Sequence, residues 1–178
     1  RQFLKFIQEI KQHLDPSQII IVRSSIFPRT CRQIMNVLGS EQEWHLAYCP
    51  ERIVQGYAVQ ELEKLPQIVA GFSDYAIDQA SGLFKKIASK IIKSTMGEAE
   101  LVKLFSNSWR YIQFAVANQF YMIAKDFGED YDRIRDIMTD GYERAKGLPS
   151  AGFAAGPCLL KDTMQLSAFY DSSFLLGQ

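Results

Sequence analysis

The chain lacks net charge: its 20 lysines and arginines are matched by 20 aspartates and glutamates. So balanced a composition gives no general pull toward nucleic acid or an anionic membrane, although a local basic pocket is compatible with it. No apolar run approaches the roughly 18 residues of a membrane-spanning helix. The N-terminal stretch also lacks the charged, apolar and small-residue sections of a signal peptide. A cytoplasmic protein without a nucleic-acid or membrane partner is expected. Cysteine is scarce too. Cys31, Cys49 and Cys158 are odd in number, far apart and without C-x-x-C spacing, which fits reduced thiols better than a disulfide framework or a zinc site. No metal is expected. The two histidines, His13 and His45, carry no partner signal and are given no role.

What is present is apolar side chain, 47% of 178 residues, ample for one domain or two small ones. Phe3, Leu4, Ile7, Ile10 and Leu14 form a helical stripe over 1–14 that starts without a capping residue, as if inside a longer chain. The β-branched run at 18–23 predicts a strand buried on both faces, closed by Ser24 and Ser25. A helix from Pro28 to Gly39 follows, then strands at 44–49 and 67–71, a helix within 72–89 and a short strand at 90–94. Strands alternating with helices predict parallel βαβ construction, with ligands near the strands' carboxyl ends, where Ser24, Ser25 and the segment 48–51 stand.

From residue 96 the character changes. Residues 98–127 read as one long helix, apolar over so much of its surface that it must be buried on more than one side, in a bundle or against a partner chain. A second helix is expected over 131–142, then a loop holding Cys158, then a helix from about Lys161. The expected class is thus α/β followed by all-α, divided into 1–95 and 96–178.

Several residues here have chemistry available to them. Helix N-terminal amides and a nearby lysine favour thiolate over thiol, so Cys158 reads either as a nucleophile or as a small buried hydrophobe. Lys103 and Asn107, four apart on the long helix, share a face and could aim an ammonium and an amide at one oxygen; a solvated stripe is the plainer alternative. Glu51, following a proline at a strand end, is a general base or an exposed loop carboxylate. Ser24 and Ser25 cap the next helix or touch a ligand.

Four motifs in order, YCPERIVQG at 48–56, AELVKLFSN at 99–107, Ala117-Asn118 and CLLKDTMQL at 158–166, resemble the UDP-glucose/GDP-mannose dehydrogenase family. The Cys-Pro-Glu-Arg form of the first is most similar to members that oxidise UDP-N-acetylhexosamines. The resemblance implies the end of a Rossmann-like NAD-binding domain joined by a long helix to a helical dimerisation domain. It also implies NAD as cofactor, a UDP-sugar as substrate and a homodimer built on that helix. Its activity would be four-electron oxidation of the sugar C6 alcohol to the carboxylate through a cysteine thioester, for surface polysaccharide precursors.

By the same resemblance Cys158 matches the nucleophile, Lys103 and Asn107 the pair that steadies the C6 oxygen, and Glu51 the carboxylate that activates or positions the hydrolytic water. Asp162 belongs with that water, Lys161 lies beside sugar or cofactor, and Ser25 stands near the nicotinamide, where many members have threonine. Arg144 reaches the neighbouring chain's sugar site, and Gly152 opens the small-residue approach to the cysteine. Alanines 154 and 155 replace common glycines there, Gln55 replaces a second glutamate of UDP-glucose-specific members, and Gln119 a frequent glutamate. The G-x-G-x-x-G turn that grips a dinucleotide pyrophosphate is absent, so this stretch alone is expected to be inactive. The competing readings are a β-hydroxyacid dehydrogenase, which needs no cysteine, and a dimerisation module without chemistry.

Overall fold

A computed structural model describes residues 2–53, 56–153 and 157–170. Gln55 and the alanines at 154 and 155 lie outside them. The chain packs as two compact units, Arg1–Lys103 and Leu104–Gln178.

In the first unit, α1 (Gln2–Lys11), β1 (Ile19–Val22), α2 (Thr30–Leu38), β2 (His45–Tyr48), α3 (Ala58–Lys64), β3 (Gln67–Gly71), α4 (Asp74–Phe84) and β4 (Ile91–Lys93) follow in order, and α5 (Met96–Asp126) begins there. The four strands form one sheet in sequence order. Side chains alternate across a strand, so each strand supplies both faces. Leu46 and Tyr48 of β2 and Ile68 and Ala70 of β3 enter one core with Ile34, Met35 and Leu38 of α2, whereas Ala47, Cys49 and Val69 enter the other with Ala76, Ala80 and Phe84 of α4. A buried leucine or isoleucine contributes about 1.5–3 kcal/mol, so these two layers hold the unit together.

β1 pairs with β2 and β3 with β4 in parallel, as alternation predicts, but β2 and β3 are antiparallel. The connection between them does not cross the sheet. Gln67 Nε2 donates to the Pro50 carbonyl at 3.3 Å and the Arg52 guanidinium to the Pro66 carbonyl, so the chain leaves β2 and enters β3 at the same end. Helix α3 lies in this connection and was not expected from the sequence, its seven residues being too few to show a clear stripe.

Helix starts follow local chemistry. Ser73 accepts from the Ala76 amide to cap α4, and Thr95 and Glu98 bond each other's amides reciprocally to start α5. Gly39 ends α2 with φ +132, its amide bonded to the Met35 carbonyl. The start of α2 is different: Arg29 has φ 68 and offers no side-chain cap.

The second unit holds the rest of α5, α6 (Tyr131–Thr139), a 3-10 turn (Glu143–Ala145) and α7 (Pro157–Phe169). Asp130 caps α6 through the Asp132 amide. The unit's apolar cluster is small, with Ala117, Ala124 and Tyr131 at its centre. Along α5, Leu104, Asn107, Ser108 and Ala117 are buried, yet Trp109 is 60% exposed and Phe127 81%. The described residues therefore leave much of the apolar surface of this helix exposed. No helix among the described residues is long and apolar enough to cross a membrane.

Candidate active site

In the first unit the site residues stand at strand ends. Ser25 follows β1, and the preceding Ser24 carbonyl accepts from the Tyr48 hydroxyl at 3.3 Å, fixing this corner to the buried end of β2. Glu51 follows β2. One of its oxygens accepts from the Arg52 and Ile53 amides at 2.8 and 2.9 Å, and the other is ion-paired with Arg23. Arg23 itself lies 4.7 Å over the Phe84 ring. Both members of the Arg23–Glu51 pair are about a third exposed, so its value is orientation more than stability. Glu51 is thereby a fixed carboxylate. Lys103 is half-buried on α5.

Three residues before Lys103, Glu100 is 3% exposed, and its two oxygens accept from the Arg29 and Cys31 amides at 2.6 and 2.9 Å. This carboxylate supplies the cap that α2 lacks, from 70 residues away in the chain. Cys31 is buried against it; burial first, then the Glu100 charge, pushes the thiol far up in pKa. Burial likewise pushes Cys49 up to about 12, with Arg23 opposing. Both thiols are inert structural groups.

In the second unit Asn107 Nδ2 donates to Asp162 Oδ2 at 2.6 Å, and Lys161 Nζ lies 3.2 Å from Asp162 Oδ1. Asp162 is fully buried and Asn107 nearly so. Cys158 is exposed and lies within α7, not in a loop before it. The helix starts at Pro157 because proline's fixed φ and missing amide suit a first turn. Cys158 thus sits in that turn, one turn ahead of Asp162 and on the same side.

The approach to α7 is strapped down. Asn118 bonds both ways with Gly152, its Nδ2 donating to the carbonyl at 3.0 Å and its Oδ1 accepting from the amide at 2.7 Å. The Tyr131 hydroxyl donates to the Pro149 carbonyl at 3.0 Å, and Arg135 donates to the Ser150 hydroxyl. Gly152 has φ +149, a conformation that disfavours any side chain there. Arg144 is exposed on the 3-10 turn with its guanidinium 5.7 Å over Tyr142.

Sequence reasoning named Asn107 and Asp162 separately, and the structure joins them. It overlooked Arg23, Glu100 and the Asn118 clamp. Glu100 had left a signal as a carboxylate one turn before Lys103 on an apolar helix, and Asn118 as part of the Ala117-Asn118 motif, whereas Arg23 had left none.

Toward NAD the first unit offers the carboxyl ends of β1 and β2, where parallel strands receive ligands. Ser25 and Glu51 stand at those ends. The α2 terminus does not fit the pyrophosphate, because Glu100 already holds the Arg29 and Cys31 amides. Among the described residues no cluster could hold a metal ion.

Residues 1–91 match the NAD binding domain of the UDP-glucose/GDP-mannose dehydrogenase family, and residues 97–174 match its central domain. A UDP-N-acetyl-D-mannosamine dehydrogenase from Methanocaldococcus jannaschii is 31% identical over 125 residues, 70% of this chain and 29% of that protein. One from Methanococcus vannielii is 27% identical over 161 residues, 89% of this chain and 37% of that protein. The chain thus spans about a third of the length of these curated relatives. The structure of a UDP-D-ManNAc dehydrogenase from Pyrococcus horikoshii superposes with TM-score 0.88 at 26% identity, covering 99% of this chain and 44% of that one. With both of its parts matched in order and its fold shared throughout, the chain belongs to the UDP-glucose/GDP-mannose dehydrogenase family.

Proposed function

We propose that this chain is part of a cytoplasmic enzyme that oxidises the C6 alcohol of a UDP-sugar, a UDP-N-acetylhexosamine foremost, to the uronate. The net reaction converts one alcohol, two NAD and one water to one carboxylate, two NADH and three protons. NAD, when bound, accepts a hydride in each of the two oxidations.

The chain's own residues do the rest. Lys103 and Asn107 donate hydrogen bonds to the C6 oxygen, the Asn107 amide having a second N–H beyond the one given to Asp162. The Cys158 thiolate adds to the aldehyde carbon, and the oxyanion takes a proton to give a thiohemiacetal. That tetrahedral carbon has a hydride to lose, as a bare aldehyde does not, and its loss together with the hydroxyl proton leaves a thioester. Water then displaces the thiolate. Glu51, held by Arg23 and by the Arg52 and Ile53 amides, keeps a lone pair with which to position this water and take its proton as the thiolate leaves. Asp162, the residue grouped by resemblance with the water, acts by holding Asn107, and Lys161 balances its charge. Arg144 reaches a neighbouring chain's sugar, so Arg144→Ala raises the KM for the UDP-sugar. A homodimer through α5 is supported by the exposed apolar side chains of that helix, Trp109 and Phe127 among them. The cytoplasmic location is supported by three free cysteines.

The observation that carries this reading is the buried Asn107–Asp162 bond, which pins the Cys158 helix to the helix of the C6-oxygen pair within one unit. The test is NADH yield from the full-length protein against a panel of UDP-sugars. Two NADH per sugar and a uronate product are expected, with this chain alone inactive. One NADH per turnover, or turnover of small hydroxy acids alone, would point to a β-hydroxyacid dehydrogenase.

A further inference from the structure

Resting on the reading above, we propose that Glu100 is a positioning residue that sets the cofactor-side corner at Ser25 against the substrate-side lysine at Lys103. Two segments of the first unit meet at its carboxylate. One is the corner after β1, which is held at its start by the Tyr48 hydroxyl on the Ser24 carbonyl and at its end by Glu100 on the Arg29 and Cys31 amides. Between these anchors Ile26 and Pro28 are buried, and the Thr30 amide closes a turn on the Phe27 carbonyl at 3.1 Å. Ser25 therefore rides on a segment fixed at both ends. The other segment is the first part of α5, where Lys103 lies on the same face as Glu100, one turn later.

The N-cap residue of α2 does not duplicate this tie. Arg29 has the left-handed φ of 68 and no capping side chain, so its amide meets the carboxylate only while that backbone geometry holds. Losing the tie would leave each ligand's own contacts in place and shift one against the other. Misplacement of reacting groups by about 1 Å can cost on the order of 100-fold in rate.

The test is steady-state kinetics of the full-length Glu100→Gln and Glu100→Ala proteins, with C6-deuterated UDP-sugar and with amide exchange at Arg29 and Cys31. Gln keeps the volume and one acceptor but turns an N–H toward the second amide. In both variants kcat should fall about 10-fold or more, with KM for NAD and UDP-sugar within about twofold of wild type. The isotope effect should be larger than in wild type, and the two amides should exchange faster. A merely structural role lowers the melting temperature and the active fraction without enlarging the isotope effect, and that result overturns the proposal. So does an unchanged kcat, a loss confined to one KM, or failure of both variants to fold. A wild-type protein that reduces no NAD with any UDP-sugar overturns the reading of the reaction instead, while exchange at Arg29 and Cys31 still reports on the tie.

Discussion

Strand β2 and helix α7 each deliver a candidate site residue, and they are held in place by different materials. Leu46, Ala47, Tyr48 and Cys49 are all fully buried, so the strand that leads to Glu51 is fixed by apolar layers on both faces. The helix that carries Cys158 buries Leu159 and Leu166 but also Asp162 and Thr163, and an amide-to-carboxylate bond of 2.6 Å ties it to α5. Apolar layers accept many sequences provided the volume is kept. A buried polar pair accepts few, because a lone survivor is left without its hydrogen bond. The seat of β2 is thus robust, and that of α7 is specific.

Mutations can break that contrast. Leu46→Ala should cost about 2–5 kcal/mol in denaturant unfolding, since a fully buried leucine leaves a cavity in a packed layer. Asp162→Ala should cost about 1–3 kcal/mol by stranding Asn107, and should lower kcat as well. If it costs more than Leu46→Ala, the contrast fails. The thiols sharpen it. A native-state alkylating agent should label Cys158, which is exposed, and spare Cys31 and Cys49 until the protein unfolds.

Those two buried thiols also carry a pH dependence. Their pKa values are raised in the folded state, Cys49 to about 12 and Cys31 further. The unfolded chain therefore loses these protons first. Their contribution is fully present below the unfolded thiol value near 8.5 and is lost as pH rises toward 12. Urea melts between pH 8 and 10.5 should show stability falling by up to about 1.4 kcal/mol per pH unit per thiol, and Cys49→Ala should make the slope shallower. Smallest of all, Asn118→Ala removes two bonds to Gly152 at an exposed site and should cost about 1 kcal/mol, with a modest fall in kcat.

The same contrast explains what could be read in advance. Apolar runs such as Ile19–Val22 and Gln67–Gly71 announce buried strands, and they lie where the β-branched pattern puts them. The start of α5 was legible too, in the Thr95-x-x-Glu98 box, although the apolar stripe alone pointed to a start at 98. The antiparallel step between β2 and β3 was not. It depends on Gln67 reaching Pro50 across a connection whose hooks are single polar side chains. The Asn107–Asp162 bond joins residues 55 apart, and the Glu100 cap joins residues about 70 apart; periodicity carries no trace of either. Lys161-Asp162-Thr163 reads as a helix start and puts Cys158 ahead of it, whereas Pro157 is the stronger signal. The set of site residues itself came from ordered motifs shared with a family, not from spacing or charge.

The claim that depends most on this arrangement is that the Cys158 sulfur forms a bond to the substrate carbon. The direct test is product analysis of the full-length Cys158→Ala protein with NAD and a UDP-N-acetylhexosamine, counting NADH per sugar consumed. The account predicts no uronate and at most one NADH per sugar, the aldehyde being the furthest product. Continued formation of uronate with two NADH per sugar would contradict it.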